Sequence, residues 1–204
     1  INVCDRHGYI AELTSYLYGN NMFKYLEVYV QKLNAAKTSE VVGALLDLDC
    51  GEDKVKELVM SVRQHPQLDV ASLVMEVEKR NRLKMLTSFL EQRAAEGDQA
   101  PPTHNALGKI YIGTLSLSLF LLLSVCPQLT LRQYFSFLLD TNSNAERFLT
   151  TNAYYESLVV GAYCEKRDPH LSFIAYQRGQ CDDELVAISN SAGLFKQQAR
   201  YLVS

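Results

Sequence analysis

The sequence predicts an all-α fold, a solenoid of stacked helical hairpins, and three observations predict it. Apolar residues recur at helical spacing through most of the 204 residues. Short polar or glycine-containing stops interrupt that spacing about once per hairpin length. No strand-like alternation and no Asn-Gly hairpin signal competes with this pattern.

The first hairpin lies in ELTSYLYGNNMFKYLEVYVQKL, residues 12–33. Leu13, Tyr16 and Leu17 share a face before Gly19-Asn20-Asn21, and Phe23, Leu26, Tyr29, Val30 and Leu33 share one after it. Gly and Asn tolerate the left-handed conformation that closes a helix C-terminus, so the triplet reads as a stop. LVMEVEKRNRLKMLTSFLEQ repeats the arrangement with a break at Asn81. VVGAYCEKRDPHLSFIAYQRG breaks at Asp168-Pro169, where Asp caps and Pro occupies the first turn of the next helix. ELVAISNSAGLFKQQARYLV breaks at Ser191-Ala192-Gly193. Weaker turns fall at Asp49-Cys50-Gly51-Glu52 and Thr141-Asn142-Ser143-Asn144.

Hairpins of about 30 residues that cannot bury their apolar stripes alone are the mark of an α-solenoid. The tetratricopeptide pattern of Trp, Leu-Gly and Tyr is missing, and the chain contains no Trp. Three of the turns continue with an apolar residue and Lys: Phe23-Lys24, Leu83-Lys84 and Phe195-Lys196; the fourth has Leu171-Ser172. From Phe23 to Leu83 is 60 residues, or two hairpins, whereas from Leu83 to Leu171 is 88. The excess falls on GTLSLSLFLLLSVCPQLTLRQYFSFLL, residues 113–139, and no charged side chain occurs between Ile110 and Leu131.

Composition excludes several functions. A net charge of -3 from 20 basic and 23 acidic side chains gives no electrostatic footprint for nucleic acid or an anionic membrane surface. Five scattered cysteines, Cys4, Cys50, Cys126, Cys164 and Cys181, form no CxxC pair and read as reduced, mostly buried thiols of a cytosolic protein. INVCDRHGYI has the form of neither a secretory signal nor an initiator segment, so the chain reads as a piece of something longer.

No catalytic, cofactor-binding or metal-binding residue is assigned, and no enzymatic role is expected. His7, His65, His104 and His170 lie far apart and none stands at ligand spacing from a Cys, Asp or Glu. Asp47, Asp49, Glu52 and Asp53 have the wrong spacing for a calcium loop and read as a solvated turn. The mixed-sign run Glu76, Glu78, Lys79, Arg80, Arg82, Lys84 reads as a hairpin corner with local ion pairs. Tyr16, Tyr18, Phe23, Tyr25, Tyr29, Tyr154, Tyr155, Tyr163 and Tyr176 are expected to pack, for the most part, between helices.

Longer runs carry a resemblance. INVCDR at 1–6, KYLEVYVQKLN at 24–34, GALLDLDCGED at 43–53, EVEKRNRLKML at 76–86, THNALGKIYI at 103–112 and NAYYESLVVGAYCEKRDPHLSFIAYQRGQCDDEL at 152–185 are similar to the clathrin heavy-chain family. The resemblance implies a structural coat protein whose legs join as a triskelion and interlock into a lattice on the cytosolic face of coated pits and vesicles. It implies other heavy-chain legs as partners, peripheral membrane association and no nucleic acid. It places this segment in the ankle or distal leg, away from the light-chain site of the full-length protein. A vacuolar-sorting tethering subunit with the same repeat is the alternative.

The departure from the family is residues 113–139, which divide the repeats into 1–112 and 140–204. Removing these 27 residues joins KIYI to Asp140-TNSNAERFL, as in the family, and reduces the 88-residue interval to 61. A membrane span, a buried helix over Leu115–Cys126 and a translated intron are the three readings. The intron is favoured, because an Asp codon split after its first base turns an intron's GT into the Gly113 codon and its final G into the rebuilt Asp140 codon. Genomic DNA without GT and AG at those edges removes that origin. The segment is expected to pack poorly whatever its origin.

Overall fold

The computed structural model describes residues 1–125 and 144–203, with side chains for 1–113 and 144–203. Among them every regular element is helical. The chain divides into two compact units, Ile1–Asp98 and Gln99–Ser204. The weak turn at Thr141–Asn144 begins outside the described residues, as do Cys126 and the rest of 126–139.

In the first unit, α1 (Asn2–His7) leads into α2 (Ile10–Gly19). Next comes α3 (Phe23–Val28), which continues as a π-helical turn, Tyr29–Leu33, and a short 3₁₀ turn, Ala35–Lys37. Then follow α4 (Thr38–Asp47), α5 (Glu52–Ser61), α6 (Val70–Lys79), a 3₁₀ turn at Leu83–Leu86 and α7 (Thr87–Ala95). Successive hairpins stack in register: α2 packs on α4 and α4 on α6, while α5 packs on α7. Ile10, Leu13, Leu17, Leu26, Tyr29, Val41, Leu45, Val55, Leu58, Leu73, Val77 and Leu86 fill the core between these layers.

The second unit holds α8 (Pro101–Val125), α9 (residues 144–151), α10 (Ser157–Glu165), α11 (Pro169–Gly179), α12 (Asp182–Ala192) and α13 (Phe195–Val203). One cluster joins Ile112, Ala145, Leu149, Tyr155, Val160, Cys164, Leu171 and Ala175; a second joins Phe173, Tyr176, Leu185 and Ile188. Helices α10 and α11 approach closely because Gly161 lies under the Tyr176 ring. A methyl at Gly161 would sit 2.4 Å from Tyr176 Cε1. The Ser172 hydroxyl uses the same gap to donate to the Gly161 carbonyl at 3.1 Å.

One backbone device ends seven of these helices. A residue with positive φ stands at Gly8, Asn21, Asp49, Asn81, Gly97, Gln180 and Gly193. The amide that follows each of them donates to the carbonyl five residues back: Tyr9 to Cys4, Met22 to Leu17, Cys50 to Leu45, Arg82 to Val77, Asp98 to Arg93, Cys181 to Tyr176 and Leu194 to Ser189, at 2.8–3.1 Å. This is the Schellman closure, which satisfies carbonyls that the helix leaves without partners and turns the chain back on itself. It falls at three of the stops read from sequence, Asn21, Asn81 and Gly193, and at the weak one beside Cys50. The Asp168-Pro169 stop works from the other side. The Asp168 carboxylate accepts from the amides of His170 (2.9 Å) and Leu171 (3.4 Å), with Pro169 in the first turn.

Two expected core faces are displaced. The buried stripe of α2 is Ile10, Leu13, Thr14 and Leu17, which leaves Tyr16 at its edge and 63% exposed. The π turn after α3 shifts the register, so that Tyr29 and Val30 are buried and Leu33 is exposed. Of the nine aromatics expected mostly in the core, Tyr29, Tyr155 and Tyr176 are buried, Tyr18, Phe23 and Tyr163 are half-buried, and Tyr16, Tyr25 and Tyr154 are exposed. Among the described residues, no helix is long and apolar enough to cross a membrane.

Candidate assembly surface

The polar side chains of the first unit bond across hairpins. Arg80, at the end of α6, donates from Nε to Asp47 Oδ1 at 2.7 Å and from Nη2 to Oδ2 at 2.6 Å, while its Nη1 meets Glu76 at 2.8 Å. Arg82 reaches Glu52 at the start of α5 at 2.7 Å. Asp47, Asp49, Glu52 and Asp53 therefore divide: Asp47 and Glu52 bond to the next hairpin, whereas Asp49 and Asp53 remain exposed at the turn. Two further nodes were not marked by the sequence reading. Arg63 binds Glu96 at 2.7 Å and the Gln92 side chain, and Arg93 donates to the Arg63 carbonyl at 2.8 Å. Near the start, Asp5 accepts from the Tyr29 hydroxyl at 2.5 Å and the Asn34 amide at 3.0 Å.

The spacing of these pairs identifies their role. Asp47–Arg80, Glu52–Arg82, Arg63–Gln92 and Arg63–Arg93 are 33, 30, 29 and 30 residues apart, one hairpin in each case. A search for opposite charges at the repeat distance would have found the first two. Their electrostatics agree. Hydrogen bonding by the Arg80 guanidinium holds the Asp47 carboxyl below its ordinary range, and Lys79 and then Arg80 do the same for Glu76. The Tyr29 hydroxyl lowers Asp5, and burial, reinforced by that bond, raises Tyr29.

The histidines stand apart, as their spacing suggests. His104 is buried, with Nδ1 2.9 Å from the Asn152 side-chain amide; His170 Nδ1 lies 3.0 Å from Gln197 Nε2; and His65 Nδ1 accepts from the Gln67 amide. Cys50 and Cys164 are buried, Cys4 and Cys181 half-buried, and all four are free thiols. Burial pushes the Cys164 thiol up to about 12, far from the activated thiolate that nucleophilic chemistry needs. Among the described residues, no group of His, Cys, Asp and Glu could hold a metal ion.

A family model described as a region in clathrin and VPS matches residues 63–204. Over 203 residues, all of this chain, the clathrin heavy chain of Dictyostelium discoideum is 53% identical. The chain belongs to the clathrin heavy-chain family. Clathrin heavy chain 1 of Arabidopsis thaliana is 51% identical and clathrin heavy chain 2 of Homo sapiens 49%, again over the whole chain. The chain spans about a tenth of the length of these clathrin heavy chains, 10–11%. The all-α hairpin stack is thus the clathrin-type repeat, and the vacuolar-sorting alternative gains nothing from these relatives.

Proposed function

We propose that the chain is a leg segment of a clathrin heavy chain, a structural part of the polyhedral coat of pits and vesicles in endocytosis and intracellular protein transport. The observation that carries this is identity of 49–53% with heavy chains of amoeba, plant and human along the entire chain. Within a leg the segment works by holding shape. Hairpins closed by backbone and bonded to their neighbours by Arg80, Arg82, Arg63 and Arg93 resist shear, and lattice contacts along such a segment can each be weak because many act together. Its partners are other heavy-chain legs, on the cytosolic face, with peripheral membrane association and no catalytic role. The ankle or distal leg is its place, with the light chain bound elsewhere on the full-length protein.

A chimera tests the reading. Residues 1–98 replace the matching stretch of the Dictyostelium discoideum heavy chain, and purified trimers are assembled in vitro. Cages in normal yield are expected; trimers that form but fail to close cages would count against the coat role.

A further inference from the structure

We infer that the outer face of α10, formed by Leu158, Val159 and Ala162, docks against the same face of a second copy of this chain, with the two helices antiparallel. The pairing rests on the Gln99–Ser204 unit alone; its use between the legs of a coat rests on the reading proposed above.

Comparison with α6 singles out the face. Glu165-Lys166-Arg167-Asp168 ends α10 as Glu78-Lys79-Arg80-Asn81 ends α6, and the two helices bury matching positions: Leu73, Val74 and Val77 in one, Val160, Gly161 and Cys164 in the other. The corner bond recurs as well. Arg80 Nη1 donates to the Glu76 carbonyl at 2.9 Å, and Arg167 Nη1 to the Tyr163 carbonyl at 3.0 Å. The outward positions differ. Where α6 has Ala71 and Ser72, α10 has Leu158 and Val159, 53% and 40% exposed. The repeat therefore does not need large apolar side chains there. From Ser157 to Cys164 the helix carries no charged residue on either side. A helix apolar all round is one whose outer face is also covered.

Size and charge name the occupant. Leu158, Val159 and Ala162 present a patch on the order of 200 Å², well below the ~800 Å² that each partner of a stable pair contributes. Such a contact cannot hold two chains by itself and suits one repeated many times along an array. The ends of the helix carry opposite charges, with Glu156 exposed at its start and Lys166 exposed at its end. Glu165, next to Lys166, is engaged instead by the Tyr176 hydroxyl, which donates to it at 2.6 Å. Two copies laid antiparallel therefore place Glu156 of each beside Lys166 of the other. Ala162 then falls near the twofold axis, where a small side chain lets the helices approach. A parallel pairing would set like charges together at both ends.

Carbodiimide cross-linking of an equal mixture of isotope-labelled and unlabelled chain tests this. Along one helix Glu156 and Lys166 lie about 15 Å apart, beyond the reach of a zero-length link, so a link between them joins two chains. Glu156–Lys166 links of mixed isotope content are expected. In L158A/V159S, which places the α6 residues at these positions, the mixed link should fall about tenfold while the melting midpoint is kept. E156K/K166E should form a mixed link between the same two positions, with donor and acceptor exchanged. Absence of mixed links, or links from Lys166 to other carboxylates in their place, overturns the antiparallel pairing. So does failure of E156K/K166E to form its link. Undiminished linking in L158A/V159S, or a lowered midpoint, overturns the assignment of the face. The chimera above carries only residues 1–98, so its failure leaves these links standing, and their absence leaves its cages standing.

Discussion

Arg80 grips Asp47 through both carboxylate oxygens, 33 residues back along the chain, and its third contact, to Glu76, lies over Gly43. The pair ties the end of α6 to the end of α4. Each partner is solvent-accessible, with Asp47 61% exposed, so its effect on stability is modest: about 0.5–1 kcal/mol by double-mutant cycle. Asp47→Asn and Arg80→Ala, alone and together, should give that coupling in urea unfolding. Arg80→Lys should lose most of it, because an ammonium cannot reproduce the planar two-point contact. A coupling near zero would show the pair to be ornamental.

Stability should fall on both sides of neutrality. Asp5, Asp47 and Glu76 have folded pKa values below their unfolded ones. Their contribution is present above the ordinary carboxylate range and is lost as pH falls through the depressed values, so melting should weaken below about pH 4. Tyr29 and Tyr176 are raised, and Cys164 is raised to about 12. Their contribution is complete below the unfolded pKa values and declines as pH rises beyond about 8.5–10. Thermal melts from pH 3 to 11 should trace a plateau between these limits; Tyr29→Phe should shift both limbs. A flat profile to pH 3 would contradict the carboxylate assignments.

Gln180 holds φ 53°, a conformation that costs a residue with a side chain about 1 kcal/mol relative to Gly. Gln180→Gly should therefore raise the stability of the second unit by about 0.5–1 kcal/mol. Asn81→Gly, at φ 55°, should change it by only a few tenths, because Asn already tolerates that region. Equal effects at the two positions would count against the account.

Gly161→Ala should destabilise by about 1–3 kcal/mol. The added methyl would lie 2.4–2.8 Å from the Tyr176 ring, which is 1% exposed and held by its hydroxyl bond to Glu165 at 2.6 Å. Gly51→Ala is the control, since nothing lies within 4 Å of its added methyl. Chemical denaturation of both variants decides between a packing effect and a general cost of losing glycine.

The repeat pattern marks Leu83 and Leu171 as places where proline should break a hairpin, and the structure moves that test. Leu83 opens a 3₁₀ turn, and Leu171 lies in the first turn of α11, its amide bonded only weakly to the Asp168 cap at 3.4 Å. A proline ring is tolerated in a first turn. Val74→Pro, in the interior of α6, should cost about 3 kcal/mol, more than Leu83→Pro, in circular-dichroism melts and in cage assembly.

The hairpin stack was legible because its stops use Asn, Gly, Asp and Pro, residues whose side chains or backbones favour a turn locally. Asp168-Pro169 works as its chemistry suggests. Gln180 was not legible: glutamine has no turn preference, and its conformation is imposed by the Cys181–Tyr176 bond at 3.1 Å. Tyr16 was misplaced because a helical stripe read from Leu13 and Leu17 overlooks Ile10 and Thr14, whose hydroxyl is satisfied by the Ile10 carbonyl at 2.7 Å. Pairs such as Glu52–Arg82 escape any reading confined to one helix, since both partners look like ordinary surface charges until the next hairpin is laid beside them.

The seven backbone closures also bear on how such a chain behaves under load. Each corner is tied by main-chain bonds within one turn, whereas neighbouring hairpins meet through side chains such as Arg80, Arg82 and Arg93. Pulled from its ends, the first unit should yield at these seams before its corners open. It should lengthen in steps, each the undocking of one hairpin with its corner still closed. A rod of such hairpins would absorb tension by undocking and redocking them one at a time.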